Sequence, residues 1–152
     1  MDIITKRFDE LTLNELYTLL QARSEVFVME QGILYQDMDE IDFSSTHLFI
    51  KENDKVCSYL RIIDPGIKYP ETSVGRVLTL APYRGRGYGR LLMEKAIDEA
   101  RKFRRPIKIE AQAYLKDFYL SLGFKPVSEE FILEGIPHIE MILELKENES
   151  IE

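Results

Sequence analysis

The chain has 152 residues, 45% hydrophobic and 31% charged, a composition of one folded domain and not of a disordered segment. Lysine and arginine total 20 against 27 aspartates and glutamates, a net charge of −7, so a basic nucleic-acid-binding surface is not expected. A single cysteine excludes an internal disulfide, and two histidines far apart leave no zinc-ligand spacing, so no metal is expected.

The first ten residues, MDIITKRFDE, lack the apolar centre of a signal peptide. No apolar run approaches the ~18 residues of a membrane span. A cytoplasmic protein with no membrane and no nucleic-acid partner is the expectation. The domain is placed at 1–145, followed by a polar tail at 146–152.

In chain order, residues 2–8 read as a short strand. A helix follows over TLNELYTLLQARSEVFVME, opened by a capping box of Thr12 and Glu15. Leu13, Leu16, Tyr17, Leu20, Phe27 and Val28 recur at helical spacing along it, and Gly32 marks the stop. YQDMDEIDFSS is an acidic connector, read as solvated or as an attractor of a cationic amine. It is not a calcium loop, because Ile41 and Asp42 stand where an oxygen ligand and a glycine are needed. THLFIKE and KVCSYLRII read as a hairpin turned at Asn53 and Asp54, with Cys57 a buried strand residue. A Pro/Gly loop at 64–73 precedes a third strand, VGRVLTL.

A second helix runs to about Arg104 with Leu92, Ala96, Ala100 and Phe103 on one face, and Pro106 ends it. IKIEAQA alternates as a strand, with Lys108, Glu110 and Gln112 on its polar side. LKDFYLSLG is a short helix, and two final strands flank Glu134 and Gly135. The order β-α-β-β-β-α-β-α-β-β describes a mixed α/β (α+β) sheet covered by helices.

The chemistry gathers in RGRGYGR, between the third strand and the second helix. Gly85, Gly87 and Gly89 let the main chain turn and let a ligand approach it. A helix N-terminus exposes unpaired amides that attract anions. Arg84, Arg86 and Arg90 oppose the helix dipole there, at a cost of ~0.3–1 kcal/mol each, unless an anion is bound. No carboxylate lies between Glu71 and Glu94, so a phosphate-bearing ligand is expected. The spacing is G-x-G-x-G, neither the dinucleotide fingerprint nor a Walker loop. Glu110, about twenty residues on, is the one feature favouring a dinucleotide. Three hairpin-like strands before the loop argue against it.

RGRGYG resembles the acyl-coenzyme A pyrophosphate loop of the GNAT acetyltransferases, and AYLKDFYLSLGF resembles that superfamily's second motif. ARSEVFVMEQGILYQDMDEID and EGIPHIEM are similar to the ElaA-like branch. The resemblance implies the GNAT acyl-CoA N-acyltransferase fold and transfer of an acetyl group from acetyl-CoA to a primary amine, in one ternary complex. By resemblance, the amides from Gly85 through Arg86, Gly87, Tyr88 and Gly89 to Arg90 hold the pyrophosphate, with Arg84 beside them. The main chain of Leu78, Thr79 and Leu80 pairs with the pantetheine arm. Gln112 is the best match to a family asparagine near the cofactor, and Phe118 adjoins it. Tyr119 matches the tyrosine that protonates the departing thiolate. A core tyrosine would give the same pattern.

For the base, Glu110 could act directly or through water, and His138 offers an imidazole, the side chain suited to proton transfer near neutral pH. Glu110 is equally consistent with a solvated strand carboxylate, and His138 with a packed residue of an edge-like strand. Glu30, Gln31 and Asp39 are implied on the acceptor side. Small-molecule and peptide amines are both open as acceptors, as is a homodimer. An acyl-CoA-binding or sensing module with little turnover, and a nucleotide-binding protein, are the alternatives.

Overall fold

The structure is a computed structural model, and it describes residues 2–145. The expected polar tail at 146–152 lies outside the described residues. The strands are β1 (Ile3–Arg7), β2 (Ser45–Glu52), β3 (Lys55–Ile63), β4 (Thr72–Thr79), β5 (Ile107–Gln112), β6 (Lys125–Pro126), β7 (Phe131–Leu133) and β8 (Ile136–Leu143). The helices are α1 (Leu13–Arg23), α2 (Tyr88–Ala100) and α3 (Lys116–Ser121). One sheet orders the strands β1-β2-β3-β4-β5-β8-β6, with β7 also paired to β8. The strand beyond the expected set is β6, two residues long and too short to show an alternating pattern.

Local chemistry explains the turns and caps. The Glu15 amide donates to Thr12 Oγ1 at 3.0 Å and the Thr12 amide to Glu15 Oε1 at 2.9 Å, the reciprocal cap expected. Asn53 and Asp54, and again Glu134 and Gly135, take paired left-handed conformations, which match the twist of a two-residue hairpin. Beyond Arg23 the helix widens into a π-helical stretch, Ser24–Glu30, which ends at Gly32.

The buried side of α1 differs from the expected one. Leu13 and Tyr17 are 88% and 72% exposed, while Glu15, Thr18, Leu19, Ala22 and Arg23 are buried. The apolar periodicity misled because two charged residues on the inner side are compensated there. Glu15 takes Lys6 at 2.8 Å and Lys51 at 3.5 Å, and Arg23 takes Asp37 and Asp42.

Two cores cover the two faces of the sheet. On one, Leu92, Met93, Ala96 and Ala100 of α2 pack with Leu48, Leu60, Ile107 and Ile109. On the other, Leu19, Ala22 and Val26 pack with Phe49, Tyr59 and Leu78. Each fully buried Leu or Ile contributes ~1.5–3 kcal/mol, so both helices are fixed on the sheet.

The sheet is antiparallel except between β4 and β5, which pair only at Thr72–Ile107 and Ser73–Lys108. On the other edge of β4 the register with β3 shifts between Tyr59 and Arg61, where β4 carries one extra residue. Arg76 in that stretch has φ 54°, a left-handed bulge that re-aims the strand.

Candidate active site

Past Ser73 and Lys108 the parallel strands part, and a cleft of about 730 Å³ opens between them. Val74–Thr79 line one side and Ile109, Glu110 and Gln112 the other. Phe27, Glu30 and Gln31 reach it from the π-helical turn, Phe118 and Tyr119 from α3, and His138 from β8. Arg84 and Gly89 border it at the glycine loop.

Gly87 caps α2 with φ 81°, and no side chain bonds there to the helix end. The first turn of α2 holds no acidic residue. A Cβ at Gly85 or Gly87 would meet nothing within 4 Å, so what both positions require is the left-handed backbone, φ 84° and 81°. The first helical bond runs from the Leu91 amide to the Gly87 carbonyl at 3.1 Å. Helix geometry therefore leaves the amides of Tyr88, Gly89 and Arg90 without intrahelical partners.

The arginines are not free of carboxylates, as the sequence had implied. Arg84 meets Glu30 at 2.9 Å and Arg86 meets Glu52 at 3.7 Å. Both acids come from distant segments, which local spacing cannot reveal. Arg90 instead donates to Ser121 Oγ at 2.6 Å and lies over the Phe118 ring. The Tyr88 ring is buried in the α2 core and its hydroxyl donates to Glu52, so only its main chain is left for a ligand. The main chain at 78–80 is also partly engaged. The Leu78 carbonyl accepts from Ser58 Oγ at 3.1 Å, and the Thr79 carbonyl from Arg84 Nε at 2.8 Å. The Leu80 amide donates to the Cys57 carbonyl at 2.9 Å, which turns Leu80 toward β3 and away from the cleft.

Tyr119 is 5% exposed, flanked edge-on by Phe118 and Phe124. Its hydroxyl has no hydrogen-bond partner among the described residues. Burial, then the nearby Tyr114, pushes its pKa up, so it keeps its proton at neutral pH. Glu110 is not a solvated carboxylate. Lys68 Nζ lies 2.7 Å from its Oε1. Burial would raise its pKa, but Lys68, with Tyr69 and His138, holds it below the ordinary value. His138 is not on an edge either, because it pairs with Gln112 of β5 on one side and Phe131 of β7 on the other. It is 8% exposed, and its Nδ1 donates to the Ile136 carbonyl at 2.7 Å, which leaves Nε2 as an acceptor in the neutral ring. Gln112 and Gln31 exchange side-chain amide bonds of 3.0 and 3.4 Å across the cleft.

The acidic connector forms a compensated ion network and not an open patch. Arg61 Nη2 meets Asp39 Oδ2 at 2.6 Å, and Arg61 Nη1 meets Asp42 Oδ1 at 2.9 Å. Arg23 joins Asp42 at 2.7 Å and Asp37 at 2.8 Å, and Arg76 joins Asp37 at 2.8 Å and Asp39 at 3.4 Å. Burial opposes ionisation of Asp39, but Arg61 and then Arg76 hold its pKa at about 2. Asp39 borders the cleft, yet its charge is already matched. Beneath the network, His47 Nε2 donates to the Asp42 carbonyl at 3.0 Å and Nδ1 accepts from the Tyr59 hydroxyl at 2.6 Å. The sequence reading missed Arg23, Arg61, Arg76 and Lys68. Single arginines inside the apolar runs KVCSYLRII and VGRVLTL were the available signal for two of them, and nothing marked Lys68.

Residues 14–145 match the Acetyltransferase (GNAT) domain. The splayed parallel pair and the glycine-capped helix are thus those of a known class: the chain belongs to the GNAT acetyltransferase family. Within it, the chain is 38% identical over 140 residues to Protein ElaA of Escherichia coli, covering 90% of this chain and 92% of that one. The crystal structure of E. coli ElaA superposes with a TM-score of 0.88 over 94% of this chain and 99% of the other. A crystal structure of an acyl-CoA N-acyltransferase from Pseudomonas aeruginosa is 37% identical, with a TM-score of 0.87, over 94% and 99% of the two chains. A UPF0039 protein of Synechocystis is 40% identical over 146 residues, 94% of this chain and 95% of its own length.

Proposed function

We propose that this protein transfers an acetyl group from acetyl-CoA to a primary amine, both substrates being bound at once. The observation that carries the reading is the opening between β4 and β5 beside a helix N-terminus with no side-chain cap. A pyrophosphate suits that terminus, since the amides of Tyr88, Gly89 and Arg90 need acceptors and the Arg90 guanidinium, which meets Ser121 and no carboxylate among the described residues, adds positive charge, with Arg84 and Arg86 close by. Acetyl-CoA would supply an acyl thioester, an electrophile with a thiolate leaving group.

The chain's own residues then divide the work. Tyr119, protonated and without a partner, donates a hydrogen bond where negative charge develops on the departing sulfur. Glu110, ionised at neutral pH, receives the acceptor's ammonium. A carboxylate held this low is a weak base, so the proton leaves through water or to the free Nε2 of His138. Gln31 and Gln112 tie the π-helical turn to β5 and fix the acceptor-side wall. Glu30 acts through Arg84 and has no free charge for the acceptor.

Thiol release from acetyl-CoA over a panel of primary amines tests the reading. Amine-dependent release is expected. Tight coenzyme A binding with no release for any amine would replace it with a sensing module.

A further inference from the structure

Lys68 carries the only amino group among the residues that line the cleft. It comes from the loop between β3 and β4, which is tied locally by the Gly66 amide to the Tyr69 carbonyl at 2.7 Å. Its Nζ lies 2.7 Å from Glu110, whose side chain is 20% exposed against 37% for Lys68. A part-buried carboxylate is thus met by a cation on a loop that belongs to neither helix nor strand.

The remaining charges around Glu110 do not replace that cation. Glu140 lies directly opposite on β8 and is taken by Lys108 at 3.7 Å. Lys108 also lies 4.6 Å from the centroid of the Tyr69 ring. Tyr69 adjoins the Glu110 carboxylate, and His138 stands two pairs further along β8. Of these groups, only Lys68 forms an ion pair with Glu110 among the described residues.

The geometry points to Lys68 as a built-in stand-in for the acceptor, its ammonium occupying the Glu110 carboxylate until a primary ammonium on an unbranched stem takes its place. This rests on the acceptor role given to Glu110 above. An exposed lysine pair is worth little, so displacement is cheap, while the part-buried carboxylate keeps a cation at all times. Neutral amines and guanidinium groups gain less, because the site is shaped around one compact ammonium.

The test is a titration of n-butylammonium into the intact protein, following the ¹³C carboxyl resonance of Glu110, with n-butanol as the neutral control. In Lys68→Met the apparent Kd is expected to fall about two- to fivefold, the size of a part-exposed ion pair. Lys68→Arg should fall between the native protein and Lys68→Met, since a guanidinium competes less well for this carboxylate, and the Glu110 titration should move furthest to higher pH in Lys68→Met. An unchanged Kd in Lys68→Met, or equal perturbation by n-butanol, overturns the inference. Loss of transfer with the whole amine panel would sink the proposed function and leave this binding result standing.

Discussion

The Tyr119 ring is caged by Phe118 and Phe124, while its hydroxyl is unpartnered. Tyr119→Phe should therefore change thermal stability little. If the hydroxyl serves the leaving thiolate, kcat should fall about 10²–10³-fold with coenzyme A affinity retained, as for loss of one donor to developing charge. Full turnover in a folded Phe variant would remove Tyr119 from the chemistry. Asp42 is the opposite kind of residue. It is buried and bonded to both Arg23 and Arg61, so its removal leaves Arg23 with Asp37 and Arg61 with Asp39 as their remaining carboxylates. Asp42→Asn should cost about 1–3 kcal/mol in urea unfolding, the size of weakened charge-assisted hydrogen bonds in the interior. A loss under 1 kcal/mol would mean that water replaces the carboxylate. The same geometry withdraws the expectation that this acidic cluster draws in a cationic substrate.

At the scale of elements, the start of α2 and the bulge in β4 set the site. Gly87 must hold φ 81° to launch the helix, and valine resists that conformation through its branched Cβ. Nothing crowds the position, so Gly87→Val strains the backbone without filling space. Coenzyme A affinity, read by calorimetry, should drop at least about tenfold while the far-ultraviolet circular dichroism is kept. Native affinity would detach the loop from cofactor binding. The bulge has a similar economy: Arg76 takes a left-handed conformation, and its guanidinium pins the Asp37–Asp39 segment beside the cleft.

For the molecule as a whole, a ligand bound only by the folded state raises its melting temperature by mass action, so coenzyme A should produce a shift that grows with concentration. No shift at millimolar coenzyme A would contradict the proposed cofactor. Stability should also fall with acid in two stages. Burial lowers the His47 pKa below its ordinary 6.5, so the folded state resists protonation there. That contribution is present above about pH 6.5 and is lost as pH falls toward the folded value. Asp39, at about 2, and Asp42, also lowered, add stability that is present above about pH 4 and lost below it. Urea midpoints from pH 8 to pH 3 should show both stages. His47→Gln should flatten only the first.

What the sequence determined by itself is local. Glycine conformations, the Thr12–Glu15 cap, hairpin turns and the alternation of Ile107, Ile109 and Ala111 depend on neighbours in the chain, and all of them could be read there. The loop RGRGYG and the face of α2 were legible for the same reason. The tertiary structure decided the rest, because charge is matched through space. It placed Glu30 and Glu52 on the loop arginines, and buried Arg23 and Arg61 among three aspartates. It turned Leu80 away from the cleft and set Lys68 on Glu110. Each of these joins segments that no short-range pattern connects, and Coulomb attraction between part-buried groups acts on distance in space, whatever the separation along the chain.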